Sequence, residues 1–372
     1  MKRILLNTLT IALLNFGANA QNVNIPDANF KAYLVGNTAI NTNGDTEIQV
    51  TEAHAFTSQI WVPNLGISDL TGIEAFIQAF EINCGNNQLT SINLTQNIAL
   101  TKLSCNNNQL TSLDITQNTG LITLGCNNNQ LTSLDLTQNT ALTVLACYSN
   151  PLGSLNVGSN VNLTQLFCYG NQLTSIDVSQ NVALEYFYLY SNPLTNLNVS
   201  QNVSLIDILC YNTQLTSLDL SQNTALTSVW CQNSQLTSLN VANGSNINIA
   251  DNYFHAAGNP SLTCIQVDDV AWSTANWASI DATASYNVDC GLGIDENNQL
   301  SSRINIYPNP ASEMLNIDTK ENIKEIKIFN LFGELVQTET SNSFSINELA
   351  SGVYFINVVT DNGVEQMKFI KN

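Results

Sequence analysis

A 21-residue unit repeats through the middle of the chain and constrains the fold more than any other feature. Typical copies are LTKLSCNNNQLTSLDITQNTG, which starts at Leu100, and LITLGCNNNQLTSLDLTQNTA, which starts at Leu121. Eight copies fit one register. Their cysteine position is filled by Cys84, Cys105, Cys126, Cys147, Cys168, Leu189, Cys210 and Cys231. A fixed period of this kind predicts a solenoid, in which each repeat contacts only its neighbours.

Within one unit, apolar and polar residues alternate as a half-buried β-strand requires. Leu103 and Cys105 alternate with polar neighbours, and Leu113 and Ile115 repeat this pattern in the second half of the unit. We therefore expect two strands in each coil. Because one coil cannot bury its apolar face alone, coils stacked at roughly 5 Å form the core, and eight coils extend about 40 Å.

The repeat consensus is L-x-x-L-x-C-x-x-N-x-L-x-x-L-D-L-x-x-N-x-x. It resembles the leucine-rich repeats of bacterial surface proteins, and it is most similar to the short-repeat proteins of Bacteroidota and to internalin-type arrays. The resemblance implies a mainly β solenoid of about eight 21-residue coils. Two asparagine columns are expected to satisfy backbone groups at the turns. They are Asn108, Asn129, Asn150, Asn171 and Asn192, and Asn97, Asn118, Asn139, Asn160, Asn181, Asn202 and Asn223.

The cysteine column has three interpretations, which are disulfides, metal ligands and packing. Successive thiols would lie about 5 Å apart, but seven inward-pointing thiols cannot all pair, and a metal needs ligands that converge. Leu189 fills the position once, so we expect the column to supply apolar volume. Cys264 and Cys290 lie outside the period, where the solenoid end must be covered, and we expect them to form a disulfide.

The first 20 residues have the features of a secretory signal peptide. Lys2 and Arg3 precede an apolar run, and small residues follow at Ala18 and Ala20. No transmembrane segment is expected in the mature chain. The formal charge of −19, with 10 Lys plus Arg, argues against nucleic acid as a partner, because phosphate binding needs clustered basic side chains.

A segment before the repeats, NTNGDTEIQVTE at residues 41–52, follows a predicted short helix that begins at Pro26 and Asp27. It resembles an EF-hand-type calcium loop, which has oxygen ligands at fixed positions. The matching residues are Asn41, Asn43, Asp45, Glu47 through its carbonyl, and Glu52. Asn41 replaces the usual aspartate and Thr46 replaces the usual glycine. Two interpretations stay open, a structural calcium site or a polar cap turn, and no other cofactor is expected.

The last 70 residues contain alternating strand patterns that are broken by Asn-Pro, Phe-Gly and Asn-Gly turns. The segments YPNP at residues 307–310, NLFG at 330–333, LASGVY at 349–354 and KFIK at 368–371 resemble the type A C-terminal sorting domain of type IX secretion. This resemblance implies a small Ig-like β-sandwich. It also implies contact with the type IX secretion machinery and a location outside the cell or on the outer-membrane surface.

These observations predict six successive segments along the chain. They are a signal peptide at 1–20, an N-terminal cap with the EF-hand-like loop at 21–80, leucine-rich repeats at 81–248, a C-terminal cap at 249–291, a linker at 292–302 and the sorting domain at 303–372.

The residues on either side of each column cysteine are expected to face outward. They are small or polar in the first three coils and aromatic from the fourth coil onward. Such a cluster would form an apolar patch larger than monomers usually expose. We therefore expect a binding surface for a protein or glycan, made of Tyr148, Phe167, Tyr169, Tyr186, Tyr188, Tyr190, Leu209, Tyr211 and Trp230.

An exported, noncatalytic binding or adhesion protein accounts best for these features. No nucleophile and base are suggested as a pair, so an enzyme is not expected. Two alternatives stay open. One is a structural surface-layer component without a specific ligand, and the other is a polysaccharide-binding accessory to a hydrolase.

Overall fold

The computed structural model describes residues 21–290, 304–319, 321–331, 333–361 and 363–372. The chain divides into two compact units, residues 1–291 and 292–372. The predicted signal peptide and the linker at 292–302 lie outside the described residues.

Two short helices form the N-terminal cap of the first unit. Helix α1 spans Ala28–Gly36, and the Asp27 carboxylate caps it by accepting the N–H groups of Asn29 and Phe30. Helix α2 spans Val50–Ala55. The predicted short helix at Asp27 is therefore confirmed.

A ten-stranded parallel sheet runs along the solenoid, with one strand from each coil. Its strands are β1 (Gln59–Trp61), β2 (Glu81–Asn83), β3 (Lys102–Ser104), β4 (Thr123–Gly125), β5 (Val144–Ala146), β6 (Gln165–Phe167), β7 (Tyr186–Tyr188), β8 (Asp207–Leu209), β10 (Ser228–Trp230) and β12 (Phe254–His255). Strands β1 and β12 extend the sheet beyond the eight predicted coils on both sides.

A second parallel sheet forms only toward the C-terminal end of the solenoid. It contains β9 (Ser217–Asp219), β11 (Ser238–Asn240), β13 (Cys264–Gln266) and β14 (Ser285–Asn287). The expectation of a second strand in every coil was therefore wrong. In earlier coils Leu113 and Ile115 are buried as predicted without forming a strand, and at the turn that follows them the Asn118 side chain bonds to the carbonyls of Leu94 and Asn97.

One continuous apolar core extends from Val23 to Trp277. The seven column cysteines are free thiols that are fully buried in this core, and Leu189 lies in the same column. Burial raises the pKa of Cys105, Cys168 and Cys210 to about 12, so these thiols stay protonated at neutral pH. The column therefore supplies packing volume.

An asparagine ladder ties each coil to the one before it. The Asn129 side chain donates two hydrogen bonds from Nδ2, to the carbonyls of Cys105 and Cys126, and its Oδ1 accepts the N–H of Leu110, all at 3.0 Å. The same three contacts recur at Asn108, Asn150, Asn171, Asn192 and Asn259. These amides satisfy buried backbone groups in two coils at once.

After each strand of the ten-stranded sheet, one residue adopts the left-handed backbone conformation, with positive φ, and turns the chain toward the ladder asparagine. These residues are Asn64, Asn86, Asn107, Asn128, Ser149, Gly170, Ser191, Asn212, Asn233 and Gly258. Asparagine and glycine adopt this conformation most readily. At Gly258 glycine is required for a second reason, because a Cβ atom there would collide with Asn233.

The C-terminal cap covers the last coil with aromatic side chains. Helix α3 spans Val270–Asn276, and the Trp277 ring that follows it stacks on Phe254 with centroids 4.0 Å apart. The Trp277 Nε1–H group donates to the carbonyl of Ile249. Cys264 and Cys290 form a disulfide with Cα atoms 5.8 Å apart, so this cap is held covalently.

The second unit consists of two antiparallel sheets around its own core. One contains β15 (Ile304–Tyr307), β16 (Met314–Thr319) and β19 (Ser343–Ser345), and the other contains β17 (Ile323–Phe329), β18 (Leu335–Glu339), β20 (Gly352–Thr360) and β21 (Gly363–Lys371). This small β domain agrees with the predicted fold class, a leucine-rich-repeat solenoid followed by a β-sandwich.

Replacing a ladder asparagine should destabilise the solenoid strongly. Asn129→Ala removes the partners of three buried backbone groups, each costing about 1–3 kcal/mol. We expect the free energy of unfolding in urea to fall by about 3 kcal/mol or more. The exposed neighbour Gln130 is a matched control, and Gln130→Ala should change the free energy by less than about 0.5 kcal/mol. Equal effects of the two substitutions would contradict the ladder's role.

The column thiols should be unreactive in the folded protein. Iodoacetamide at pH 8 should leave all seven unmodified, because they are buried and their pKa values are raised. In urea all seven should react, as counted by mass spectrometry. Glutathione in the same reaction serves as the control for reagent activity, and rapid labelling of the native protein would refute packing as the function of this column.

Candidate binding surface on the strand face

The ten-stranded sheet places equivalent side chains of successive coils side by side. In each strand the middle residue is buried, and its neighbours lie on the outer face. The parallel register aligns Ala146 with Phe167, Tyr188 and Leu209 in consecutive coils. Two outward columns result, one before and one after the column cysteines.

Four tyrosines form a continuous stack in the column after the cysteines, which we call the tyrosine row: Tyr148, Tyr169, Tyr190 and Tyr211. Successive ring centroids lie 4.2, 4.2 and 4.3 Å apart, and the ring planes differ by 11° or less. Both ring faces of Tyr169 and Tyr190 are thereby covered by neighbouring rings. The row therefore offers ring edges and hydroxyl groups to a partner.

The hydroxyls of Tyr169 and Tyr211 remain neutral at physiological pH, because their pKa values are raised. Burial raises the pKa of Tyr169 well above its ordinary value, and the adjacent hydroxyls of Tyr148 and Tyr190 raise it further. Burial also raises the pKa of Tyr211 to about 12, with Tyr190 as the second cause. These side chains can therefore both donate and accept hydrogen bonds.

The column before the cysteines continues the aromatic surface beside the tyrosine row. The rings of Phe167 and Tyr188 are 4.9 Å apart and tilted. The Tyr188 hydroxyl donates to Asp207 Oδ2 at 2.8 Å. Leu209 and Trp230 follow in register, and the Trp230 ring lies 6.3 Å from Tyr211.

All nine residues predicted for the binding surface lie half-buried in adjacent coils of this sheet, and we call them the aromatic surface. Tyr186 lies at the start of strand β7, two residues before Tyr188. The geometry differs from the expectation in one respect. The rings of the tyrosine row cover one another, so fewer ring faces are open than their number suggests.

Sequence reasoning missed His255, which extends the aromatic surface by one coil. It is in register with Trp230, and the two rings are 4.3 Å apart. His255 Nε2 contacts the Asn252 carbonyl at 3.0 Å and Nδ1 contacts the Ser279 hydroxyl at 3.1 Å. The sequence does contain a mark of this additional coil, the tripeptide GNP at residues 258–260. It is similar to the turn sequence SNP of earlier coils, but it lies outside the 21-residue period.

Aspartates in the second half of the coils serve the turns locally. Asp114 Oδ1 accepts the N–H and the hydroxyl of Thr116, and these bonds hold the pKa of Asp114 below its ordinary value. Asp135 does the same with Thr137. Asn156 replaces aspartate in one coil and makes the equivalent bond to Gly158 N–H. The column that contains Asp114, Asp135 and Asn156 therefore requires a side-chain oxygen that accepts the N–H two residues later and so forms the turn.

The candidate calcium loop is closed by side-chain oxygens that accept backbone N–H groups. Asn41 accepts the N–H three residues later, and Asn43 and Asp45 each accept the N–H two residues later, at 2.7–3.0 Å. The hydrogen bond from Glu47 N–H is the main cause that lowers the pKa of Asp45. Each oxygen retains a second lone pair for a cation. The Asn41 amide donates to the carbonyls of Val35 and Asp45, which accounts for asparagine at this position.

Glu52 ties the end of this loop to its beginning. One carboxylate oxygen accepts the N–H and the hydroxyl of Thr42, and the other accepts the N–H of Gln49. Burial acts to raise the pKa of Glu52, but these bonds outweigh it and the pKa is lowered. The Glu47 side chain pairs with Lys31 at 2.7 Å, which leaves its carbonyl as the predicted ligand. The five predicted ligands thus lie within one hydrogen-bonded loop.

Calcium should stabilise the N-terminal cap if this loop binds it. For a dissociation constant of about 10⁻⁴–10⁻³ M, 10 mM calcium would add about 1–3 kcal/mol to the free energy of unfolding. We expect thermal unfolding to shift upward in calcium and not in magnesium, and we expect Glu52→Gln to remove the shift. Identical melting curves in calcium and in EDTA would identify the segment as a polar cap turn.

Comparison with known proteins identifies the C-terminal unit. Residues 305–372 match the family described as a secretion system C-terminal sorting domain. A curated relative, the ulvan lyase NLR42 of Nonlabens ulvanivorans, is 34% identical over 103 residues, which is 26% of this chain. The chain spans only 19% of the length of that relative.

Solved leucine-rich-repeat structures are similar to this chain at low sequence identity. The functional domain of InlJ from Listeria monocytogenes, which includes a cysteine ladder, is 21% identical with a TM-score of 0.34, covering 95% of this chain and 98% of that one. The internalin InlF from the same species is 17% identical with a TM-score of 0.48, covering 71% and 91%. The Leptospira interrogans protein LIC12759 is 20% identical with a TM-score of 0.40, covering 59% and 70%.

The match of the C-terminal unit indicates the destination of the protein. Within the part of the chain that the structure describes, no helix is long and apolar enough to cross a membrane. Residues 305–372 form a type IX secretion sorting domain, as the sequence predicts, and this domain directs the chain through that machinery to the cell surface or the extracellular space.

Proposed function

We propose that the solenoid is a noncatalytic binding module that recognises a protein or glycan partner through the aromatic surface. The observation that carries this proposal is the run of aromatic side chains in five successive coils at one end of the face, whereas the opposite end carries the exposed Trp61 alone in its coil. Small or polar residues such as Ser104, Gly125 and Asn106 occupy the same columns in earlier coils. Ladder stability alone would not require aromatic residues in only half of the coils.

The size and chemistry of the surface support recognition. Nine half-buried side chains together expose a patch on the order of a few hundred Å², the range in which monomer patches are often functional. Tyrosine and tryptophan are also the side chains most enriched among residues that dominate binding energy. Stacking fixes their rotamers before a partner arrives, which lowers the entropic cost of association.

The chemistry of the solenoid supports a noncatalytic role. Its column thiols are buried and protonated, which removes them as nucleophiles. The Ser279 hydroxyl contacts His255, but a backbone carbonyl, and not a carboxylate, holds the other ring nitrogen. A catalytic serine–histidine pair normally has a third group that stabilises the charged imidazole.

A second candidate is a polysaccharide-binding accessory to a hydrolase. The partial match to a protein named as an ulvan lyase favours it, although that match covers about a quarter of this chain. A third candidate, a structural surface component, predicts no saturable partner at all.

Alanine substitution at the aromatic surface should weaken partner binding. The full chain is screened on protein and glycan arrays, and its best ligand is titrated against the variant Tyr169→Ala, Tyr190→Ala, Trp230→Ala. We expect affinity to fall at least about tenfold, because truncation of a central aromatic anchor costs about 2 kcal/mol or more. The urea unfolding curve of the variant must first show that the solenoid remains folded.

The matched control changes exposed apolar residues outside the strand face. Ile98 and Val182 are 65% and 52% exposed at turns of the solenoid, so Ile98→Ala, Val182→Ala should leave affinity unchanged. Saturable binding that the aromatic variant does not weaken would refute the proposed surface. A complete lack of saturable binding would favour the structural candidate.

A further inference from the structure

The solenoid unit has almost no basic side chains. Residues 21–290 contain 18 Asp and Glu residues but only two Lys and no Arg. Lys31 pairs with Glu47 at 2.7 Å, and Lys102 lies 4.0 Å from Glu81, near the other end of the sheet from the tyrosine row. The coils that carry the aromatic surface therefore present negative charge that no basic side chain of the same unit offsets.

Two carboxylates accompany the aromatic surface in its central coils. Asp207 begins strand β8, beside Tyr186 in the register, and Glu185 immediately precedes strand β7. Asp207 Oδ2 accepts the Tyr188 hydroxyl, while Asp207 Oδ1 is buried and makes no hydrogen bond among the described residues. The Tyr188 hydroxyl therefore holds this carboxylate in place, and the carboxylate contributes its negative charge to the strand face.

The tyrosine row favours contact with hydrogen-bond donors along its rim. Because neighbouring rings cover both faces of Tyr169 and Tyr190, a flat ligand cannot stack on them. What remains is a line of hydroxyl oxygens, one for each coil, on the same strand face as the Asp207 carboxylate. Arginine and lysine are the side chains that supply several donors together with a positive charge.

We infer that the partner of the aromatic surface is a protein segment that carries arginine or lysine side chains, and that the Asp207 and Glu185 carboxylates attract them. This inference rests on the proposed function and names its ligand class. Charge complementarity steers such a partner to the surface and excludes others. Nucleic acids and anionic polysaccharides would be repelled by the same carboxylates, and neutral glycans would find few open ring faces.

The inference is tested with four probes against the full chain. They are decapeptides of alternating Arg and Ser, of alternating Glu and Ser, and of alternating Gly and Ser, and a neutral glucose hexasaccharide. We expect saturable binding of the arginine peptide alone, with an affinity that falls as salt rises. Neutralising the face with Asp207→Asn, Glu185→Gln should weaken this binding about tenfold, as the loss of two close charge partners predicts.

The matched control removes an equal number of negative charges from other positions in the same part of the solenoid. Asp177 and Asp219 lie in the turn-forming column where Asn156 and Asn198 already occur, so Asp177→Asn, Asp219→Asn should preserve the turns. We expect less than a twofold change in affinity. An equal loss in both variants would show diffuse charge attraction and would overturn the inference.

The aromatic variant Tyr169→Ala, Tyr190→Ala, Trp230→Ala separates this inference from the proposed function. If the hexasaccharide or an uncharged peptide binds and that variant loses it, the aromatic surface is the site but its partner is not basic. If the aromatic variant changes the binding of no probe, both the proposed function and the basic partner are wrong. Failure of the arginine peptide to bind also overturns the inference.

Discussion

The side-chain amide of asparagine is the interaction on which the rest of this structure depends. In the ladder position, one amide bonds to backbone groups of two successive coils, as Asn129 does with Cys105, Cys126 and Leu110. The spacing of the coils is thereby fixed through buried hydrogen bonds, which are stronger in a low-dielectric interior. That spacing in turn sets the 4.2–4.3 Å separation of the tyrosine rings. The geometry of the aromatic surface is thus a consequence of how the turns are built.

Burial of the inward positions of the repeat could be predicted, because stacking gives every member of a column the same environment. Leu189 decided that the cysteine column serves packing, since a leucine can replace a packed thiol but not a reactive one. The coils around β1 and β12 were harder to recognise, because the spacing from each of these strands to its neighbour in the sheet departs from 21 residues. The second strands were wrongly expected in every coil, since burial of Leu113 and Ile115 requires alternation but not a backbone ladder.

The aromatic residues could be found from sequence, but not how their rings are arranged. Which ring faces are open depends on rotamers that packing selects, and the stack of Tyr148 on Tyr169 and Tyr190 closes most of them. The bond between Tyr188 and Asp207 also joins residues 19 apart in different coils. The strand face is therefore a row of ring edges and hydroxyl groups that shares its surface with the Asp207 carboxylate, rather than an open aromatic platform. The protein that carries it is exported by its sorting domain.

Hydrogen exchange tests the central claim, that the aromatic surface is where a partner binds, most directly. The full chain would be compared by mass spectrometry with and without its best ligand from the protein and glycan screens. The account predicts slower exchange in peptides that cover residues 144–148, 165–169, 186–190 and 207–211. Protection confined to the turns around Ile98 and Val182, or to the first three coils, would contradict it.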